Sequence, residues 1–591
     1  MLKLNQPIAH WDVSNVTNMA GMFWHATIFN QPLNNWNVSN VTDMNNMFFL
    51  ASNFNQPIIN WDVENVTNMY GMFNNAITFN QPIGNWNVSS VSTMEYMFAN
   101  TKYNHPLDNW DVSNVITMKD MFNQSTWFNQ SIDSWNVSNV TNMESMFRRA
   151  FRFNGSIGNW DVSNVTNMNS MFHEATSFNQ LLYDWDVSNV TNMERTFTLA
   201  ETFNQPIGSW DVSNVITMKD MFAGANKFNQ PLDNWNVSNV ITMESMFFDA
   251  NDFNQPLNSW DVSNVTDMSN MFKNAYNFNE TLNNWTPVNA LLMNSMFEGA
   301  ISFNQPLNNW TLGSVTNMSS MFNNTDSFNQ PLNNWDVNSV TDMSSMFKNA
   351  TDFNQNIENW ITQNVLLMNN MFEYATSFNQ PLNNWVLGST TNMSSMFRNA
   401  QNFNQTIDNW DVRNVIEMGK MFQDATTFDQ DIGNWDVSNV TQMFSMFENV
   451  TLSIQNYDAL LNGWNNLSLQ NNIDFHGGNS NYCNSQIARN NIINTFGWTI
   501  TDDGLEPGCS ELSITDVQLD SIEIYPNPTS EVVYIKNYLG DSIALYDNLS
   551  RKVLFNITNR DFNIIKIDIS HLQTGIYFLK LDTIIKKLVI K

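Results

Sequence analysis

The sequence predicts an α/β solenoid, with a short strand plus a helical turn in each 25-residue coil and about 18 coils, followed by a small C-terminal β-sandwich. Three observations carry this expectation. Tryptophan recurs at Trp11, Trp36, Trp61, Trp86, Trp110, Trp135, Trp160, Trp185 and on to Trp435, giving 18 anchors spaced by 25 residues except for one 24-residue step between Trp86 and Trp110. A fixed period in the twenties marks an array in which each unit buries its apolar face against its neighbours. At 591 residues the chain exceeds what one compact core holds. Near the C-terminus the period gives way to short apolar runs separated by turn signals, such as 532–535 and 577–581.

Within one coil, counted from the tryptophan as position 0, the consensus is W-[D/N]-V-S-N-V-T-x-M-x-x-M-F-x-x-A-x-x-F-N-Q-P-[L/I]-x-x-W. The near-alternation of Leu33, Trp36 and Val38 predicts a short strand with one face inward. Met19, Met22, Phe23 and Ala26 at +8, +11, +12 and +15 follow the i, i+3, i+4, i+7 spacing of a helix face. Thr at +6 is placed to cap that helix, with Thr141-x-x-Glu144 and Thr191-x-x-Glu194 as capping boxes. Phe29 and its equivalents close the turn, and Pro32 fixes the backbone before the next strand. The segments L-N-N-W-D-V-N-S-V at 332–340 and L-D-N-W-N-V-S-N-V at 232–240 resemble the leucine-rich-repeat signature L-x-x-L-x-L-x-x-N, one residue shorter. That resemblance implies a coil of leucine-rich-repeat type. At a strand spacing of about 4.8 Å, eighteen coils make a rod on the order of 85 Å long.

Two columns of this array are read as structural ladders. Trp11, Trp36 and Trp61 stack in the core, and Asn15, Asn40 and Asn65 at +4 satisfy backbone groups where the chain leaves the strand. Serine takes the latter place at Ser90, Ser314, Ser339 and Ser389. The methionine stripe has a chemical reading, since thioethers bind copper(I), but with no Cys or His in register it is core packing. At +1 the chain alternates Asp12, Asn37, Asp62, Asn87, Asp111, Asn136, Asp161. Neighbouring full charges repel. Alternation with Asn relieves this, and so would calcium, but the glycine-rich loops of calcium-binding arrays are absent. Local backbone capping or a solvated face is the preferred reading.

Charge narrows the partners. The chain carries −31, and residues 521–591 hold 9 Lys/Arg against 7 Asp/Glu, so everything before them carries −33. That field disfavours nucleic acid and anionic membranes. No apolar run reaches membrane-spanning length. Catalytic signatures are missing as well. The six histidines (His10, His25, His105, His173, His476, His571) lack metal-ligand spacing, and no phosphate-cradling glycine loop occurs. His476-Gly477-Gly478 has no accompanying G-x-S-x-G nucleophile. The interruptions of the repeat at 285–293 and 360–368 are apolar. The chain is expected not to be an enzyme, with no catalytic residue, cofactor or metal. A polysaccharide-acting enzyme on the face of the array is the lesser alternative.

The near-intact W-D-V-S-N-V-T-x-M-x-x-M-F, repeated from Leu4 to about Asn449, resembles the BspA-like, Mycoplasma-lipoprotein-type family of leucine-rich-repeat surface proteins. Residues 450–503, with N-Y-D-A-L-L-N-G-W at 456–464 and F-G-W-T-I-T at 496–501, look like the cap common after such repeats. The array spans 1–449, and because L-N-Q-P-I at 4–8 is already mid-repeat, a preceding N-terminal cap and leader are expected. After a linker at 504–520, I-Y-P-N-P-T-S at 524–530, A-L-Y-D-N-L-S-R-K-V at 544–553, I-D-I-S at 567–570 and G-I-Y-F-L-K at 575–580 resemble a type A sorting domain of the type IX secretion system, over 521–591. Ser550 stands where that motif usually has Gly. The resemblance implies export through type IX secretion to the surface or surroundings of a Gram-negative bacterium, with a mature end near 516–521. Cys483 and Cys509 pair in a bridge or remain as two free thiols.

These readings converge on a secreted or cell-surface adhesion protein, presenting an extended face to extracellular proteins or glycans. A surface-layer or biofilm component without a specific receptor is the alternative. Trp24, Trp127, Arg148, Arg149 and Arg152 are the candidate partner-binding residues, with Tyr70, Tyr96, Tyr276 and Tyr374 as further variable-position aromatics.

Overall fold

The computed structural model describes residues 5–509, 522–538, 542–549, 551–561, 564–582 and 584–591. Leu4, Ser550, most of the expected linker and the expected processing stretch at 516–521 lie outside them. The chain divides into two units, Met1–Pro507 and Gly508–Lys591.

The coil is not helix plus strand, so the α/β solenoid of leucine-rich-repeat type is corrected. Among the described residues the helices are α1 (Ile454–Trp464) and α2 (Gln486–Phe496), both beyond the last repeat. Each repeat is instead a succession of tight turns. In the coil of Trp36, the N–H of Trp36 donates to the Leu33 carbonyl at 3.0 Å, Val41 to Val38 at 2.9 Å, Met47 to Met44 at 3.1 Å, Ala51 to Phe48 at 2.9 Å and Phe54 to Ala51 at 2.9 Å.

The helix fails because the backbone changes hand twice inside the window that was to form it. Asn46 and Leu50, at +10 and +14, have φ of 52° and 58°, and Asn270 and Asn274 have 56° and 57°. A left-handed residue ends any run of i→i−4 bonds. The N–H groups of Met44, Asn46, Phe48 and Leu50 donate instead to Asn68, Tyr70, Met72 and Asn74 of the next coil, at 2.7–3.0 Å. Successive turns still aim +8, +11, +12 and +15 inward, so the apolar spacing imitates a helix. Nor is there a strand around the tryptophan. One residue per coil, at +7, bridges in parallel to its equivalent 25 residues on, from Asn18↔Asp43 to Glu417↔Gln442.

The core is made by stacking like on like. Trp185 and Trp210 lie 6.3 Å apart with planes 4° from parallel. Within a coil Phe48 and Phe54 stack at 4.0 Å, and Phe48 stacks on Phe73 of the next coil at 5.6 Å. Each such pair adds about 0.5–1.5 kcal/mol beyond its burial. From Trp36 to Trp435 each indole N–H of the column also finds a backbone carbonyl of the preceding coil, as Trp210 Nε1 donates to the Leu182 carbonyl at 3.0 Å. The 24-residue coil deletes one residue of the turn before the second Phe column. There the N–H of Tyr103 donates to the Thr101 hydroxyl at 3.3 Å, replacing the backbone bond of other coils.

After Asn449 the array is closed by β1 (Asp474–His476), β2 (Asn481–Tyr482), β3 (Thr499–Thr501), β4 (Gly504–Leu505) and the two helices. β1 pairs with β3 and β2 with β4, each in parallel, and Met443 of the last coil bridges to Phe475. Gln470 donates to the Ser438 carbonyl at 2.8 Å, taking the place that Asn holds in the coils. Trp464, Phe475 and Trp498 join the apolar cluster of the repeats.

The second unit contains β5 (Glu523–Tyr525), β6 (Val532–Lys536), β7 (Ile543–Asp547), β8 (Lys552–Val553), β9 (Asn556–Asp561), β10 (Ile564–Asp568), β11 (Gly575–Leu581) and β12 (Ile584–Ile590). They form two four-stranded antiparallel sheets, ordered β5-β6-β10-β9 and β12-β11-β7-β8. One cluster that includes Val533, Ile535, Ile567, Leu579 and Leu588 draws on both.

Candidate binding surface

The side chains common to every coil are occupied by the architecture. Trp36 and Trp61 are 3% exposed, whereas Trp11, stacked on Trp36 at 6.4 Å, is 48% exposed. Asn40 and Asn65 donate to the Ser14 and Ser39 carbonyls of the preceding coil at 2.7 and 2.8 Å. Asn15 sits exposed in the same column. Ser339 makes the equivalent bond to Gly313 at 2.7 Å. Thr at +6 caps no helix. The Thr42 hydroxyl donates to the Thr17 carbonyl at 3.2 Å, and Glu144 pairs with Lys119 at 2.8 Å, so Thr141 and Glu144 form no capping box.

A second asparagine ladder, in F-N-Q-P, escaped the sequence reading. Asn204 Oδ1 accepts from the Asn229 N–H at 3.0 Å and from Gln230 Nε2 at 2.9 Å, and column neighbours repeat this. The signal was there, because nothing in an exposed turn requires N-Q at nearly every repeat unless both amides are used.

The acids at +1 serve the backbone locally. Asp111 Oδ1 accepts from the Ser113 N–H at 3.0 Å, and Asp186 does the same for Ser188. Bonds from the serine hydroxyl and N–H hold Asp111, Asp186 and Asp261 below the ordinary carboxylate range. Among the described residues no group of three or more His, Cys, Asp or Glu is arranged to hold a metal ion. Burial pushes His173 down, although its ring nitrogen lies 3.0 Å from Glu174. In the His-Gly-Gly turn the N–H of Gly477 donates to Thr501 at 2.7 Å and that of Gly478 to His476 Nδ1 at 3.1 Å. Both glycine N–H groups of the turn are thereby engaged. Cys483 and Cys509 are both disulfide-bonded.

The candidate partner-binding residues separate into two places. The Arg152 guanidinium lies 3.9 Å from the Trp127 ring centre, one coil away, and Arg149 pairs with Glu174 at 2.9 Å in the same region. Arg148, half-buried, is near enough to His173 to disfavour its charged form. Trp24 lies several coils off and meets Phe49 edge-on at 6.0 Å. Trp24 and Trp127 are 53% and 44% exposed. Tyr70 and Tyr96 contact each other edge-on at 5.7 Å, and Tyr374 lies beneath Arg398 at 5.6 Å.

The sequence reading also passed over Leu181 and Tyr183. They interrupt N-Q-P-[L/I]-x-x-W with N-Q-L-L-Y-D-W, and are 60% and 57% exposed. They border an open cleft of about 410 Å³ that adjoins a second, of about 320 Å³, through Gly158, Asn159 and Asp184.

Family models match nearly the whole chain. Residues 1–109, 99–208, 191–310, 291–405 and 380–488 match a family described as "Mycoplasma protein of unknown function, DUF285". Residues 523–591 match the secretion system C-terminal sorting domain. No curated protein matches the chain. No helix among the described residues is long and apolar enough to cross a membrane. The sorting domain marks the protein for the type IX secretion machinery, and the protein is secreted or attached at the outer cell surface. Through five consecutive matches along its repeats, the chain belongs to the DUF285 family.

Proposed function

We propose that this is a surface or secreted binding protein, an adhesin in the broad sense, whose repeat unit presents registered columns of variable side chains to extracellular proteins or glycans. It is not an enzyme. The observation that carries the reading is a division of labour within each coil. Most residues shared by the coils are buried or hydrogen-bonded within the stack, whereas several that differ, such as Trp24, Trp127, Tyr276 and Tyr374, face water. Exposed aromatics and arginines are favoured at binding hot spots, and contacts in register add by avidity. The sequence resemblance to BspA-like surface proteins points the same way, as does export by the sorting domain. Support for a non-catalytic role comes from the acids at +1, which are engaged with their own backbone.

The test is retention of the purified chain on immobilised extracellular-matrix proteins, on glycans and on cells. Saturable binding to any of these supports the proposal. Self-aggregation of producing cells, with no saturable binding of the purified chain, would favour a receptor-free surface component instead.

A further inference from the structure

Tyr183 occupies a column that elsewhere holds small or polar groups, Ile59 excepted. Its equivalents one coil before and one coil after are Gly158 and Gly208. The backbone of these two coils is fitted to glycine, since a Cβ on Gly158 would come within 2.9 Å of the Leu181 carbonyl oxygen and one on Gly208 within 2.6 Å of that of Pro231. The tyrosine is therefore flanked along the column by two residues without side chains. Leu181, in the column where most coils carry proline, extends the apolar area beside it, between Ser156 and Pro206. The polar rim is equally defined. Asp184 stands exposed beside Tyr183, and Asn159 is held across the cleft, its N–H donating to Asp133 Oδ1 at 2.9 Å.

We propose that this cleft is a glycan-binding site for a neutral pyranose. It rests on the surface-binding reading and narrows it to one ligand class at one place. A pyranose has an apolar C–H face and a rim of hydroxyls. The first suits the Tyr183 ring with Leu181 beside it, and the second suits the Asp184 carboxylate and the amide oxygen of Asn159, whose Nδ2 already donates to Asp133. Sites for small ligands combine apolar and aromatic area with a few placed polar groups, in volumes of about 300–1,000 Å³, and the main cleft has about 410 Å³. Uronic and sialic acids are disfavoured, because Asp133 and Asp184 line this cleft and Asp161 and Asp186 the adjoining one. A guanidinium would suit the ring and the carboxylate but would leave Leu181 uncovered.

The experiment titrates the full chain by calorimetry with mannohexaose, laminarihexaose and cellohexaose, and in parallel with oligogalacturonate and an Arg-rich peptide. Two variants, Tyr183→Asn and Leu181→Pro, each install the residue found most often at that position in other coils, so the fold is preserved. We expect at least one neutral hexaose to bind, at least tenfold more weakly to Tyr183→Asn and severalfold more weakly to Leu181→Pro, with no binding of oligogalacturonate. Absence of neutral-sugar binding overturns the inference, as does equal affinity in Tyr183→Asn, or Tyr183-dependent capture of the peptide instead. If the sugar result is negative while the chain still binds matrix proteins or cells, this site is wrong and the broader surface-binding reading stands.

Discussion

Replacing serines at +10 with glycine distinguishes the observed coil from a helical one by the sign of its effect. Ser295, Ser345 and Ser395 each have φ of 57°. Other coils already carry glycine in the same two left-handed columns, at Gly21, Gly71, Gly224 and Gly299. A left-handed conformation costs a residue with a Cβ about 1–2 kcal/mol. Glycine avoids that cost but loses about 0.5–1 kcal/mol through its freer unfolded chain. Each Ser→Gly change is therefore worth a net gain of roughly 0.5–1 kcal/mol. The three sites are separated by intervening coils, so their effects should add to about 1.5–3 kcal/mol. In a helix the same change would lose about 0.5 kcal/mol per site, and Ser→Ala would gain about as much. Urea unfolding followed by tryptophan fluorescence compares the triple-glycine and triple-alanine chains at matched slope. The glycine chain should unfold at the higher urea concentration. If the alanine chain proves more stable, the argument from backbone hand is wrong.

Three further outcomes follow from single contacts. The Tyr103 hydroxyl is buried without a partner in a column of phenylalanines, so Tyr103→Phe should raise stability by about 1 kcal/mol in the same urea assay. Asn204→Ala leaves the Asn229 N–H and the Gln230 amide without their acceptor; a loss of about 1–3 kcal/mol is expected, and an unchanged midpoint would show the ladder to be incidental. Asp111, Asp186 and Asp261 have folded-state pKa values depressed by their serine bonds. Their contribution is complete above the unfolded value of about 3.9 and is lost as pH falls through the lower folded values. The triple Asp→Asn chain, carrying the residue found at +1 in several other coils, should thus differ most from the parent near neutral pH and converge with it below about pH 4 in thermal melts.

The period, the identity of the buried residues and the +4 ladder were legible because each depends on composition at a fixed interval. Trp185 over Trp210 and Asn40 on Ser14 needed only the count of 25. The backbone within the coil was not legible by apolar spacing, because a string of three-residue turns and a helix both return to the inner face after three or four residues. What separated them was composition at +10 and +14, where Asn, Asp, Gly and Ser predominate. Asn, Asp and Gly tolerate positive φ, and none of the four favours a helix interior. Tyr183 was overlooked for a different reason. It adds no acid or base to the repeat, only an aromatic ring between two glycines, which leaves the apolar period unbroken.

Why some columns vary and others do not follows from where the backbone can hold itself. At +6 most coils have threonine, whose hydroxyl reaches the preceding carbonyl, as Thr67 does to Thr42 at 3.2 Å. Yet Ile116, Ile216 and Ile241 stand in the same column, each about half exposed. The main-chain bond persists under them: the Ile216 N–H donates to the Thr191 carbonyl at 2.9 Å, as the Thr67 N–H does to Thr42. The threonine hydroxyl is therefore an addition to a contact that survives without it. At +4 no such substitute is seen, and the column is restricted to Asn and Ser, side chains that can still donate to the preceding coil. Freedom to change the surface thus exists where the intercoil bond is made by backbone alone. Those columns are where a binding preference can be written without loss of the stack.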